Sequence, residues 1–141
     1  MRKHRTVMVK VLSSPDSRTG EAEIDAPMAD AVRMLNEAGL WTNQCCQGGT
    51  ERSLGCHPFV QPAHVGFCGY DANLRPLIAW AKANGYHYYR HEGAEPIVEA
   101  FDGYGHQGKR EFAALRALNR RFIKDLTAWA ARQLQEVKKK R

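Results

Sequence analysis

The 141-residue chain predicts an α+β domain with a mainly antiparallel sheet, closed by a long basic C-terminal helix. Three observations carry this reading. Short alternating or β-branched runs come in pairs, each pair is followed by a stretch of helical period, and no Pro-, Gly- or Ser-rich linker divides the chain. The expected order is β-β-α-β-β-α-β-β-α, repeated in element type but not in sequence, with the helices on one face of the sheet. Apolar residues make up 43% of the chain and aromatic residues 9%, enough for one core, so residues 1–141 are read as a single domain.

The first strand is predicted where Val7, Val9 and Val11 alternate with Met8, Lys10 and Leu12. The turn cluster Ser13-Ser14-Pro15-Asp16-Ser17-Arg18-Thr19-Gly20 leads to a second alternation, Glu21-Ala22-Glu23-Ile24-Asp25, which makes a hairpin with a long loop. A helix then starts at Asp25 or Ala26. Pro27 falls in its first turn, Met28, Ala31, Val32, Leu35 and Ala38 form its apolar stripe, and Gly39 ends it. Trp41 to Cys46 and His64 to Tyr70 are strand candidates, separated by an irregular loop over residues 48–61. Asp71 or Asn73 caps a second helix carrying Leu74, Leu77, Ile78 and Ala81, and Gly85 stops it. Tyr86–Arg90 and Pro96–Phe101 are strand-like. The longest regular segment follows, with Phe112, Leu115, Asn119, Phe122, Leu126, Trp129, Gln133 and Val137 at helical spacing and Arg116, Arg120 and Lys124 on another face.

The net charge of +6 is unevenly placed. Residues 109–141 carry 11 Lys and Arg against 3 Asp and Glu, a local charge of +8, while the other 108 residues carry 10 against 12, or −2. This asymmetry points to an acidic partner, of which nucleic acid is the commonest class. Arg116, Arg120, Arg121 and Lys124 are the expected phosphate contacts, and Lys138, Lys139 and Lys140 add steering. No apolar run approaches the roughly 18 residues that span a bilayer, so no membrane partner is expected. The basic start Met1-Arg2-Lys3-His4-Arg5 lacks the apolar segment of a signal peptide, and the expected compartment is the cytoplasm. Cys45, Cys46, Cys56 and Cys68 then read as free thiols or metal ligands rather than a disulfide framework.

Six soft or borderline ligands fall within 24 positions: Cys45, Cys46, Cys56, His57, His64 and Cys68. There is no C-x-x-C, and adjacent Cys45 and Cys46 on a strand point to opposite faces, so one ion meets only one of them. On a straight strand His64 and Cys68 stand about 13 Å apart at about 3.3 Å per residue. The zinc set that remains is one of Cys45 and Cys46, with Cys46 preferred, together with Cys56, His57 and His64, and its alternative is buried thiols packed as small hydrophobes. Cys46 is also the candidate nucleophile, with His57 or His64 as base. The P-loop string is absent, and Gly103-x-Gly105-x-x-Gly108 matches the dinucleotide fingerprint but has no second strand after its helix. The 17 residues from Gln47 to Ala63 are expected to rim a functional pocket, since Gly48 and Gly49 permit positive φ and N–H groups that converge on an anion.

The span from Asp25 to Phe67 resembles a pattern of small bacterial and bacteriophage proteins. In these a helix ends in Leu-Asn-x-x-Gly, here Leu35 to Gly39, and Thr-x-x-x-Cys-x-Gly follows, here Thr42, Cys46 and Gly48. More distantly, the same residues and Glu95-Pro96-Ile97-Val98 resemble the methyltransferase family that acts late in wybutosine synthesis on tRNA. This chain has Gln44, Cys45 and Gln47 where that family has serines, and Gly49 where it has arginine. The resemblance implies a ligand-binding loop of Thr42, Cys46, Gln47, Gly48 and Gly49, with S-adenosylmethionine as cofactor. Three functions are therefore open. The leading one is a small nucleic-acid-binding accessory protein, RNA before DNA; the others are a phage-type protein that binds and blocks another macromolecule, and a methyltransferase-like enzyme built around Cys46.

Overall fold

The computed structural model describes residues 5–11, 21–51, 58–68, 71–90, 95–103 and 111–141. Strands β1 (Thr6–Lys10) and β2 (Glu21–Asp25) pair antiparallel, Val7 opposite Ile24 and Val9 opposite Ala22. Their alternation turns Val9 and Ile24 to the core; the turn cluster expected at 13–20 lies outside the described residues. Pro27 then opens a single 3-10 turn, Ala26–Met28, where its missing N–H costs no hydrogen bond, and helix α1 (Ala29–Glu37) continues from it.

Glycine ends α1 and α2 in the same way. Gly39 has φ +87°, its N–H reaches Asn36 C=O at 3.0 Å, and Leu40 N–H reaches Leu35 C=O at 2.8 Å. After α2 (Asp71–Ala83), Gly85 has φ +77°, with Gly85 N–H on Lys82 C=O at 3.2 Å and Tyr86 N–H on Ala81 C=O at 2.8 Å. This doubled bonding consumes carbonyls that a helix end would otherwise leave unpaired. At the first end a buried amide sets the exit. Asn36 Nδ2 donates to Val32 C=O at 2.8 Å and to Thr42 Oγ1 at 3.0 Å, and its Oδ1 accepts from Thr42 N–H at 3.4 Å.

The main sheet has the order β3-β6-β8-β7, with β3 (Thr42–Cys46), β6 (His64–Phe67), β7 (His87–Tyr89) and β8 (Ile97–Glu99) paired antiparallel throughout. One correction concerns the stretch expected to be an irregular loop. Gly49–Glu51 (β4) and Phe59–Gln61 (β5) form an antiparallel hairpin of their own, so the described order is β-β-α-β-β-β-β-α-β-β-α. Three-residue strands are too short to show a period of two, and their pairing depends on contacts from elsewhere in the chain.

Helix α3 (Phe112–Lys139) is 28 residues long, roughly 42 Å at 1.5 Å per residue. It packs on α1 and sends Phe122, Leu126, Trp129 and Ala130 into the core with Met28, Leu35, Val65, Phe67 and Val98. Trp80 from α2 lies 5.4 Å from Tyr86 and 5.7 Å from Trp129, and Tyr86 meets Phe122 edge-on at 5.1 Å. No helix among the described residues is long and apolar enough to cross a membrane.

One polar side chain of α3 is buried among these apolar ones. Asn119 Oδ1 accepts from Ala63 N–H at 2.7 Å and its Nδ2 donates to Gln61 C=O at 3.0 Å, so it bridges the two backbone groups on either side of Pro62. Proline has no N–H for a neighbouring strand, and the side-chain amide supplies the donor and acceptor that a neighbour would offer. Replacing Asn119 with Ala takes the partner from the buried Ala63 N–H and one donor from the half-buried Gln61 C=O, and should cost about 2–4 kcal/mol. At about 3 °C per kcal/mol that is a fall of about 6–12 °C in Tm. Arg120→Ala, one residue on and exposed, should cost less than about 0.5 kcal/mol. Urea and thermal unfolding followed by circular dichroism would show it; a loss below about 1 kcal/mol for Asn119→Ala would mean the bridge is dispensable.

Candidate functional site

The Gln47–Gly49 segment and helix α3 form the two walls of an open cleft of about 260 Å³, lined by Pro27, Gln47, Gly48, Gly49, Arg116, Asn119, Arg120 and Ile123. Residues 116, 119, 120 and 123 fall on one helical stripe, being three and four apart. Arg116 is held toward the opposite wall by a 3.3 Å bond from its Nη1 to Thr50 Oγ1, and Arg120 is exposed. Gly48 has φ +75° and Gly49 φ +139°. A Cβ on Gly48 would stand 2.5 Å from Asn119 Nδ2 and 2.6 Å from both Ala63 N and Gln61 O, so Gly48 lies directly on the bridge made by Asn119. Its glycine is a packing requirement of the cleft floor.

The backbone nest expected here is not available for an anion. Gln47 N–H donates to Asp25 Oδ2 at 2.9 Å and Gly48 N–H points to Cys46 Sγ at 3.3 Å, so both are used within the fold. Positive charge on this cleft comes instead from the α3 arginines.

The surroundings of Cys46 run against the sequence reading of it as an activated nucleophile. Burial pushes its thiol up, and the carboxylates of Asp25 and Glu51 act in the same direction; only the Gly48 N–H opposes them. Cys45 is pushed up to about 12 by burial, then by Asp25 and Cys46. Both thiols are therefore protonated and weakly nucleophilic at neutral pH. His64, the remaining described base candidate, turns Nδ1 to Pro62 C=O at 3.1 Å.

Of the five loop residues expected to bind a ligand, Gln47, Gly48 and Gly49 line the cleft. Thr42 is buried at the far end of β3 under Asn36, and Cys46 leaves the cleft wall for the sheet, its thiol 3.9 Å from Gln61 Oε1. Of the expected zinc set, Cys46 and His64 are direct cross-strand partners, while Cys56 and His57 lie outside the described residues, as do Gly105 and Gly108 of the glycine string. Arg121 is turned about 100° from Arg120 around the helix. Its Nε donates to Tyr86 Oη at 3.0 Å and its Nη2 to Asn84 C=O at 3.1 Å, while Tyr86 Oη donates to Asp125 at 2.6 Å. It ties the end of α2 to α3, so this expected phosphate contact also has partners within the fold. Lys138 and Lys139 close α3, with Lys139 3.6 Å from Glu136, and Lys140 follows as its cap.

The sheet register separates two cross-strand rows. Cys45, Val65, Val98 and Tyr88 are partners across the four strands and face the core; the next row, Cys46, His64, Glu99 and His87, shares the opposite face. Glu99 is 4% exposed and takes a 2.7 Å bond from or to His87 Nδ1. Burial raises its carboxyl above the ordinary range against the pull of His87. Glu99, His87 and Asn119 were not singled out for function from sequence, because their meaning depends on which strands become neighbours. A buried Asn in an apolar helical stripe was the one signal available for the last.

No family model, curated protein or solved structure matches the chain, so the geometry carries the functional argument.

The thiols provide a direct check. Peptide mapping after timed iodoacetamide treatment should show Cys45 and Cys46 labelled far more slowly at pH 7 than in the unfolded chain, with rates still rising above pH 9. Asp25→Asn keeps an oxygen acceptor for Gln47 N–H but removes a negative charge, and should speed labelling of both. Labelling of native Cys46 at the unfolded rate would restore the nucleophile reading.

Proposed function

We propose that the protein binds nucleic acid, single-stranded RNA before DNA, along the face of α3 that forms the cleft wall. One observation carries the reading: the strongly basic C-terminal third presents Arg116 and Arg120 at an open, largely apolar cleft, and neither is in an ion pair among the described residues. Pro27, Gly48, Gly49 and Ile123 supply an apolar slot for an unstacked base, and the two guanidiniums supply phosphate contacts beside it. Lys124 extends the exposed face by one turn. Lys138–Lys140 lie roughly 33 Å along the helix from Arg116, too far to share its phosphate, and act on the approach of the strand through long-range attraction.

Fluorescence anisotropy with labelled single- and double-stranded RNA and DNA at several salt concentrations tests this. Arg116→Ala with Arg120→Ala should weaken single-strand binding and reduce the slope of log K against log salt by about 1.4, since each single-strand phosphate contact contributes about 0.7. Arg121→Ala should leave the slope unchanged while lowering stability. Absence of binding at low salt, or a slope indifferent to the double substitution, overturns the reading.

A further inference from the structure

We infer that His87, Glu99 and Asp102 form a binding site for a first-row divalent cation on the sheet face turned away from the core. One ligand atom from each residue lies within 4.8 Å of the others. Donors bound to one ion at about 2.0–2.2 Å stand about 3.3–3.6 Å apart in tetrahedral geometry and about 4.4 Å apart when opposite each other, so the widest pair has to close by no more than about 1.5 Å when an ion binds. The site is separate from the cleft and does not rest on the nucleic-acid reading.

The fold builds this grouping from two strands and one turn. Antiparallel pairing of β7 and β8 sets His87 opposite Glu99. Beyond β8 the chain bends at Ala100 and Phe101, which brings Asp102 back to the same point and lets Gly103 N–H donate to the Glu99 carboxylate. Pro62 packs against the same turn, 3.0 Å from where a Gly103 Cβ would stand. The His87 ring stacks on Tyr89 at 5.5 Å and 26°. His87 Nδ1 and Glu99 Oε2 already stand 2.7 Å apart, and Tyr89 on the ring and Gly103 N–H on the carboxylate add orientation from neighbours that are not themselves ligands. Burial differs in the sense a site requires: Glu99 is enclosed, the His87 side chain is 35% exposed and Asp102 is exposed, so an ion could enter from solvent and keep water on its remaining positions.

Two carboxylates and one imidazole match a dication in charge, and the mixed oxygen and nitrogen set suits Mn²⁺, Fe²⁺ or Zn²⁺ better than thiolate-seeking ions. The sequence reading sought metal among Cys46, Cys56, His57 and His64. Here the grouping uses none of these, and His64 adjoins it only as the cross-strand partner of Glu99.

Mn²⁺ is the appropriate probe, because the four cysteines of the chain would compete for Zn²⁺. The untagged full chain, stripped with chelator, would be titrated with Mn²⁺ and free ion read from its electron paramagnetic resonance signal. The expected result is one immobilised Mn²⁺ per chain, with the His87 and Tyr89 ring proton resonances broadened selectively. Asp102→Asn and His87→Gln alter exposed or half-exposed groups, so both should keep the wild-type circular dichroism spectrum while weakening Mn²⁺ at least about tenfold. Glu37→Gln, on an exposed face of α1, should change nothing. No immobilised Mn²⁺, or equal affinity in wild type, Asp102→Asn and His87→Gln, overturns the site.

Discussion

The side-chain amide of Asn119 is the interaction on which the arrangement of this protein turns. It takes the Gln61 carbonyl and the Ala63 N–H, the groups on either side of Pro62, and so joins the long helix to the point where the small hairpin runs into the main sheet. Gly48 comes down onto that bridge with no room for a Cβ. Three remote segments, around residues 48, 62 and 119, are thereby locked together. The cleft between Gln47–Gly49 and the arginines of α3 is the space left above that lock. A buried amide of this kind is costly unless both its ends are satisfied, and here they are, which gives the junction one geometry rather than several.

A second constraint is the register of the four-stranded sheet. Because side chains alternate at a period of two, one cross-strand row must face the core and the next must face away. Cys45, Val65, Val98 and Tyr88 take the inner row, which accounts for the thiol of Cys45 being driven up by burial. Cys46, His64, Glu99 and His87 take the outer row, so residues 46, 64, 87 and 99, scattered along the chain, become neighbours. The two adjacent cysteines therefore have different neighbours, Cys45 the core and Cys46 the outer row.

The same logic sorts the cations of α3. Arg116 and Arg120 share a stripe with Asn119 and face the cleft, whereas Arg121 reaches Tyr86 and the last turn of α2. Burial and its bond to Asp125 raise the phenol of Tyr86, and Arg121 counteracts them. Composition identifies a basic helix; the angular position of each residue separates a cation that faces the cleft from one that ties two helices together.

The sequence by itself determined whatever depends on local chemistry. The α+β class, the β1–β2 alternation, the proline start of α1, the glycine stops at 39 and 85 and the extent of α3 follow from short-range periodicity and backbone freedom, and all stand in the structure. Tertiary structure decided the rest, because those features depend on partners distant in sequence. The β4–β5 hairpin has strands of three residues, too short to carry a period, and is held by Asn119 some 58 positions from Gln61. The Gly48 N–H, free to meet an anion in a linear reading, is turned onto Cys46, and the Gln47 N–H is taken by Asp25 from 22 residues away. The grouping of His87, Glu99 and Asp102 exists only once β7 pairs with β8 and the chain turns back after it. Local patterning fixes where elements begin and end, whereas pairing register and side-chain bridges between elements fix which functional groups meet.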